Sequence, residues 1–203
     1  MPKRTQRTLT ITLLDLKNAF GEVHHELIKQ SLSYHHVPDP IINMFTSIYD
    51  QSKIKVAVNG DCTKPITVQK GVLQGDPCSP LLFNVCFNLL MTTLAQPKYR
   101  GLGYIWGTGK TVCFRAWMQF ADDAVVISSS EKNAQTLLQV FNAWCVWANM
   151  IVRVDKCITF GMKKESTGVY AQYCPKLAVG EEQIPAVKND NISNILASCL
   201  VST

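Results

Sequence analysis

The sequence lacks the marks of a secreted or membrane-spanning protein. No signal sequence leads the chain, and none of the eight cysteines belongs to a Cys-x-x-Cys pair. No run of about 18 uncharged apolar residues occurs, since even the 72–95 segment contains Asp76 and two prolines. We therefore expect a soluble, intracellular protein without membrane contact, in the nucleus or the cytoplasm, whose cysteines are reduced core thiols (Cys62, Cys78, Cys86, Cys113, Cys145, Cys157, Cys174 and Cys199).

Charged residues are also few. They make up 17% of the 203 residues, against 47% hydrophobic residues, which is the balance of a folded globular protein rather than a disordered one. This length favours a single well-buried core. The net charge of +5 permits a polyanionic partner but does not identify one.

Local patterns predict alternating strands and helices. Leu9–Leu16 has a strand pattern that ends beside Asp15, and the nearly continuous apolar run Pro80–Leu94 favours a buried helix. Ser130 is a suitable cap for an amphipathic helix over Glu131–Asn149. The remaining predictions are helices over Glu22–Tyr34 and Ile41–Tyr49, a hairpin from Lys53–Val58 and Ile66–Gln69, strands over Val112–Gln119 and Val125–Ser128, and short strands over Met150–Val154, Ile158–Gly161 and Tyr170–Val179. This order is typical of an α+β fold, an antiparallel sheet backed by helices.

Three aspartates are candidates for metal chemistry. Asp122 and Asp123 lie at the tip of the hairpin predicted around Phe120–Ala124, and two carboxylates held together are costly unless a cation or a proton neutralises them. Asp15, at the end of another strand, could complete a two-metal site. Aspartates are also common in turns and at helix N-termini for purely structural reasons, so these residues alone do not decide between the two interpretations.

Three segments occur in a characteristic order. They are Leu14–Phe20, the Gly71–Asn84 segment with its Gln-Gly-Asp-Pro-Cys-Ser-Pro core, and Phe120-Ala121-Asp122-Asp123. Together they resemble the reverse transcriptase family, and among its members the non-LTR, LINE-type retrotransposon enzymes. The resemblance, from about residue 7 to 188, implies a polymerase palm-like fold with partial fingers elements. It also implies an RNA-directed DNA polymerase that acts on an RNA template, a DNA primer and dNTPs.

The resemblance also implies residue roles. Asp15 and Asp122 would bind two Mg²⁺ ions, with Mn²⁺ as a substitute, and Asp123 would support them. Phe20 would select deoxyribose by excluding a 2′-hydroxyl. Lys156, in a segment resembling Asn-x-x-Lys-(Thr/Cys), would protonate the leaving pyrophosphate. The remaining substrate-binding candidates are Leu16, Lys17, Asn18, Ala19 and Phe20 towards the triphosphate, and Gln74 and Gly75 towards the template and nucleotide.

Some features depart from the family pattern. Gly21 replaces a frequent aspartate, and Phe120 replaces the usual tyrosine. We expect one domain over residues 1–203, truncated at both ends relative to the family, with an atypical tail at 189–203. The alternatives are a catalytically inactive remnant that binds nucleic acid or protein, and another metal-dependent palm such as a nucleotide cyclase, which does not account for the Gly71–Asn84 segment.

Overall fold

The computed structural model describes residues 8–73, 75–106 and 113–187. Within them the chain alternates between helices and mostly short strands. In order, the elements are β1 Leu9–Leu14, α1 Ala19–Glu22, α2 His25–Tyr34, α3 Asp39–Asp50, β2 Lys53–Ile54, β3 Ala57–Val58, β4 Asp61–Cys62, β5 Ile66–Thr67, α4 Ser79–Leu94, α5 Pro97–Arg100, β6 Tyr104–Trp106, β7 Cys113–Arg115, β8 Trp117–Phe120, β9 Asp123–Ser128, α6 Glu131–Trp147, β10 Ile158–Lys164, β11 Tyr170–Tyr173, β12 Ala178–Val179 and β13 Glu182–Gln183.

The main sheet is antiparallel and has the strand order β11-β10-β1-β9-β8, with β1 at its centre. The alternation of β1 turns Thr10, Thr12 and Leu14 to one fully covered face. The hydroxyl groups buried there are satisfied, because Thr12 bonds the Thr159 hydroxyl at 3.1 Å and Thr10 bonds the Tyr173 hydroxyl at 2.6 Å. The central strand therefore ends in a rigid position.

Helix α6 packs on β1 and β9, and helix α4 packs against α6. Helix α4 is apolar almost throughout, so Leu82, Phe83 and Leu90 are almost fully buried. Helix α6 begins where the Ser130 hydroxyl accepts a hydrogen bond from the Asn133 backbone N–H at 3.2 Å, as predicted for a cap. A series of ring contacts links the region after β1 to both helices: Phe20 with Phe83, Phe83 with Phe87, and Phe87 with Trp144.

The predicted α+β class is confirmed, with differences in detail. The helix predicted over 22–34 corresponds to α2 and begins at His25, after the separate short helix α1. The 53–69 hairpin consists of two nested strand pairs around Asn59 and Gly60. Met150–Val154 is not a strand, since it has a single bridge, between Val152 and Leu16. The reason is local: α6 ends at a left-handed Asn149 with a φ of 54°, and a turn follows at Val154.

Two further outcomes concern the surface. Cys62 and Cys174 are exposed rather than in the core, because the short strands around them have no covering layer, whereas Cys86, Cys145 and Cys157 are buried as predicted. Cys199, Val112 and the 189–203 tail lie outside the described residues. In the described part of the chain, no helix combines the length and apolar composition that crossing a bilayer requires.

Candidate active site

Strand pairing brings the three candidate aspartates to one end of the sheet. Leu14 of β1 lies opposite Ala124 of β9, so Asp15 and Asp123 leave neighbouring strands at adjacent positions. Phe120 pairs with Asp123 and closes the β8–β9 hairpin, which leaves Ala121 and Asp122 as its tip. The carboxylates at this end of β1 and β9 form what we call the carboxylate cluster: Asp15, Asp122 and Asp123.

The hairpin tip is held by a short chain of hydrogen bonds. Ala121 has a φ of 50°, a left-handed conformation that is uncommon for a residue with a side chain. The Gln119 amide donates to the Ala121 carbonyl at 2.7 Å, and the Trp117 indole N–H donates to the Gln119 side-chain oxygen at 3.2 Å. These contacts fix the turn that presents Asp122 to solvent.

Within the carboxylate cluster, Asp123 is affected by burial and by its two acidic neighbours. The pKa of the Asp123 carboxyl lies above its ordinary value, first because of burial and then because of the negative charges of Asp122 and Asp15. A carboxylate with a raised pKa is one that a nearby cation would stabilise. A positive charge placed beside Asp123 would therefore offset part of this cost.

That positive charge is supplied on one side by Arg153. Its Nε donates to Asp15 Oδ1 and its Nη2 to Asp15 Oδ2, both at 2.9 Å, in a bidentate pair. The Arg153 backbone N–H also donates to the Asp15 carbonyl at 3.0 Å. Arg153 occupies the asparagine position of the Asn-x-x-Lys segment. Sequence reasoning did not select it, although its place in that segment was a usable signal.

The donors suit a divalent cation of the Mg²⁺ type, because they are hard carboxylate oxygens whose mutual repulsion a cation would relieve. Both oxygens of Asp15 are directed to Arg153 in this arrangement. Across residues 8–73, 75–106 and 113–187, no three His, Cys, Asp or Glu side chains are gathered as a ready metal cage. The chemistry of the cluster fits such an ion, and Arg153 is the group that the ion would meet at Asp15.

The Leu16–Phe20 segment is only partly available to a ligand. Leu16 and Ala19 are buried, whereas Lys17 and Asn18 are exposed. The Lys17 backbone N–H donates to the Ile151 carbonyl at 2.9 Å, so this amide already has a partner within the chain. The amide is occupied because the chain after β1 bridges the 151–153 segment. The exposed Lys17 side chain remains a candidate.

The Phe20 ring is fixed by a stacked neighbour. It lies 4.3 Å from the ring of Phe83, centroid to centroid, with an angle of 7° between the planes. Phe83 is fully buried in α4, so the Phe20 ring has a rigid support on one side. Sequence reasoning selected Phe20 but gave no role to Phe83, because residues 63 positions apart in the chain show no local pattern that pairs them.

The loop before α4 is attached to the segment after β1. The Val72 N–H donates to the Phe20 carbonyl at 2.8 Å, and the Gly71 N–H donates to the Val23 carbonyl at 2.7 Å. Gly71 has a φ of 93°, and a Cβ there would lie 2.9 Å from the Gly21 carbonyl oxygen. Glycine at position 71 therefore permits this close approach, whereas a Cβ at Gly21 would instead meet the Asn18 side chain.

Within the loop, Asp76 and Ser79 have structural roles. The Asp76 carboxylate accepts from the Cys78 N–H at 3.0 Å, and the Ser79 hydroxyl donates to the Leu73 carbonyl at 2.6 Å. Gly75 is exposed with a φ of 88°, and a Cβ there would contact nothing within 4 Å. Gln74 lies outside the described residues. The structure thus leaves open space beside Gly75 for a ligand.

Lys156 follows Arg153 in the same turn. Its backbone N–H donates to the Arg153 carbonyl at 2.9 Å, and its side chain is exposed. The turn therefore carries a second cation three residues beyond the group that holds Asp15.

The fold is palm-like: an antiparallel sheet backed by helices has acidic residues at the ends of its central strands. The structure of apo telomerase from Candida tropicalis matches with a TM-score of 0.59 at 13% identity, over 94% of this chain and 34% of that chain. A telomerase structure from the same organism, truncated from its C-terminal domain, gives a TM-score of 0.57 at 15% identity, over 81% and 32%. At these identities the likeness shows the palm-like fold.

The family model of reverse transcriptase (RNA-dependent DNA polymerase) matches residues 2–170, and the chain belongs to this family. The Pol polyprotein of the type-2 retrotransposable element R2DM of Drosophila melanogaster is 28% identical over 187 residues, 90% of this chain and 17% of that protein. A Pol polyprotein of the type-1 retrotransposable element R2 of Popillia japonica is 30% identical over 185 residues, 90% and 25%. The predicted relationship to non-LTR retrotransposon enzymes is confirmed, and the chain spans a minor part of these relatives' length.

Proposed function

We propose that this chain contains the nucleotidyl-transfer site of an RNA-directed DNA polymerase. In this proposal the site joins a dNTP to the 3′-hydroxyl of a DNA primer paired with an RNA template. The observation that carries the proposal is the carboxylate cluster: Asp15, Asp122 and Asp123 lie at the same end of two paired strands, and burial, followed by the charges of Asp122 and Asp15, raises the pKa of Asp123. Membership in the reverse transcriptase family supports it.

The carboxylate cluster would hold two Mg²⁺ ions, or Mn²⁺ in their place. When bound, these ions would favour ionisation of the primer hydroxyl and neutralise charge on the triphosphate. The exposed Lys156 ammonium would donate a proton to the leaving pyrophosphate. The exposed Lys17 side chain would add positive charge on the triphosphate side of Asp15.

Selection of deoxyribose is assigned to Phe20. A ring that is supported face to face by buried Phe83 cannot retreat from an added 2′-hydroxyl without disturbing the core. The Phe20 carbonyl also holds Val72, so the same residue connects the sugar site to the loop that carries Gln74 and Gly75. That loop would contact the template and the nucleotide, where exposed Gly75 permits close backbone approach.

A primer-extension assay tests the proposal. The purified chain should incorporate dTTP on poly(rA)/oligo(dT) only with Mg²⁺ or Mn²⁺ present, and Asp122→Asn should reduce the rate by at least about 100-fold. Asp39→Asn, which changes an exposed aspartate at the start of α3, is the matched control and should retain the wild-type rate. A chimaera with this chain in place of the matching segment of an R2 Pol polyprotein supplies further polymerase regions. No incorporation by either the chain or the chimaera would overturn the proposal.

A second candidate is a palm that binds nucleic acid or protein without catalysis. The observation that favours it is the Arg153–Asp15 pair, which engages both oxygens of a proposed metal ligand. This candidate requires salt-sensitive RNA binding that Asp122→Asn and Asp123→Asn leave unchanged, together with no dNTP incorporation. Metal-dependent incorporation that is lost in Asp122→Asn would exclude it.

A further inference from the structure

The 151–157 segment contacts the backbone of Asp15 and Lys17 at three points. The Lys17 N–H bonds the Ile151 carbonyl, and the Arg153 N–H bonds the Asp15 carbonyl. The Asp15 N–H lies 3.4 Å from the buried Cys157 sulfur. The backbone of this segment is thus fixed beside Asp15 independently of the Arg153 side chain.

The Arg153 guanidinium is the part of this arrangement that can move. Its side chain is 35% exposed and that of Asp15 is 33% exposed, so the pair lies at the surface of the site. An arginine is charged at every physiological pH and has a long, flexible stem. It can therefore swing into solvent while the backbone contacts stay in place.

A divalent ion and Arg153 need the same oxygens. A carboxylate that accepts two N–H donors in the bidentate geometry has both oxygens directed to the guanidinium. The guanidinium uses one lone pair on each Asp15 oxygen and places a positive charge beside any ion that would bind the others. The ion and the guanidinium therefore compete for the Asp15 carboxylate.

We propose that Arg153 is a positioning residue that serves as the resident cation of Asp15 and competes there with a divalent ion. In this way Arg153 limits repulsion within the carboxylate cluster before the ion arrives and lowers the affinity of Asp15 for the ion. The inference rests on the metal-ligand role of Asp15 in the proposed function. It adds that the Arg153 guanidinium of the same chain opposes metal binding at Asp15.

Binding of Mn²⁺, followed by the electron paramagnetic resonance signal of the free ion, tests the inference without an activity assay. Arg153→Asn should bind Mn²⁺ about tenfold more tightly than the wild type, since charge-assisted hydrogen bonds of this kind are worth about that much in affinity. Arg153→Lys keeps the charge but loses the fork, and its affinity should lie between the two. Lys163→Asn removes one exposed positive charge from β10 and should leave the affinity unchanged.

The double variant Arg153→Asn with Asp15→Asn locates the effect, because the tenfold gain must disappear when Asp15 cannot act as an anionic ligand. Unchanged or weaker Mn²⁺ binding by Arg153→Asn, a gain that persists without the Asp15 carboxylate, or no binding by any variant would each overturn the inference. Circular dichroism checks folding, and if Arg153→Asn does not fold, the comparison of Arg153→Lys with the wild type decides.

The two proposals fail in different ways. A gain in Mn²⁺ affinity that depends on Asp15, in a protein that never incorporates dNTPs, would leave this inference intact and overturn the polymerase function. Metal-dependent dNTP incorporation without any effect of Arg153→Asn on Mn²⁺ affinity would support the polymerase function and overturn this inference.

Discussion

Replacing Phe20 by alanine tests whether its supported ring selects the sugar of the incoming nucleotide. The ring is stacked at 4.3 Å and 7° on Phe83, which is fully buried and cannot shift without disturbing α4. If the proposed role is correct, an added 2′-hydroxyl would meet the ring in the wild type. Phe20→Ala would then open space for a ribonucleotide.

The expected magnitude follows from the packing. Forcing an extra group into filled space costs about 1–3 kcal/mol, so the preference for dTTP over UTP should fall by roughly tenfold to a hundredfold in Phe20→Ala. The same change removes an aromatic pair worth about 1 kcal/mol, together with part of the burial of a half-buried ring. We therefore expect the free energy of unfolding to fall by about 2 kcal/mol.

The assay is single-nucleotide extension on poly(rA)/oligo(dT), with kcat/KM measured for dTTP and for UTP. Phe87→Leu is the matched control, since it removes a buried ring of the same aromatic series, 4.7 Å from Phe83, without contacting Phe20. It should lower stability and leave the sugar preference unchanged. An unchanged preference in a folded Phe20→Ala protein would refute the steric argument, as would an equal loss of preference in Phe87→Leu.

Three other substitutions test the β8–β9 hairpin tip, the carboxylate cluster and the N-terminal cap of α6. Gln119→Met removes the side-chain amide that donates to the Ala121 carbonyl. It should lower the free energy of thermal unfolding by only about 1 kcal/mol but reduce the rate of dNTP incorporation at least about tenfold. Incorporation at the wild-type rate would contradict this. Asp123→Asn should stabilise the metal-free protein at neutral pH by at most about 1 kcal/mol, because solvent screens this partly exposed group. The raised pKa means that the folded protein binds a proton more readily than the unfolded chain. The stability of the wild type therefore falls as pH rises from the ordinary carboxyl pKa through the raised pKa of Asp123. In urea unfolding across a pH series, the difference in unfolding free energy between Asp123→Asn and the wild type should vanish below the ordinary carboxyl pKa. A difference that does not change with pH would contradict this. Ser130→Ala removes the acceptor of the Asn133 N–H and should lower the free energy of urea unfolding by about 1 kcal/mol, so a change below about 0.3 kcal/mol would contradict the capping role.

Features with a local cause could be predicted from the sequence. Helix α4 follows from a continuous apolar run after a Gly-Asp-Pro turn, and α6 from its period and the Ser130 cap. The hairpin that ends in Asp122 was also predictable, because strand-forming residues flank a short polar turn. These elements depend on side chains within a few residues of one another.

The contacts that shape the carboxylate cluster depend on distant parts of the chain. Arg153 and Asp15 are separated by 138 residues, and their pairing arises because the chain after α6 returns along β1. The apolar pattern at Met150–Val154 favoured a strand, but the Met150 N–H is already used by the Cys145 carbonyl at the end of α6, at 2.8 Å. A helix end therefore prevailed over strand propensity.

Replacing Asp122 by cysteine tests most directly whether the carboxylate cluster binds the ions of a nucleotidyl-transfer site. A thiolate is a poor ligand for Mg²⁺, a somewhat better one for Mn²⁺ and a good one for the soft ion Cd²⁺. Asp122→Cys should lose dNTP incorporation with Mg²⁺ by at least about 100-fold and recover a measurable part of it with Mn²⁺ or Cd²⁺, while Asp39→Cys behaves as the wild type with every ion. Incorporation with Mg²⁺ at the wild-type rate, or a loss of the same size with all three ions in a folded protein, would contradict the account.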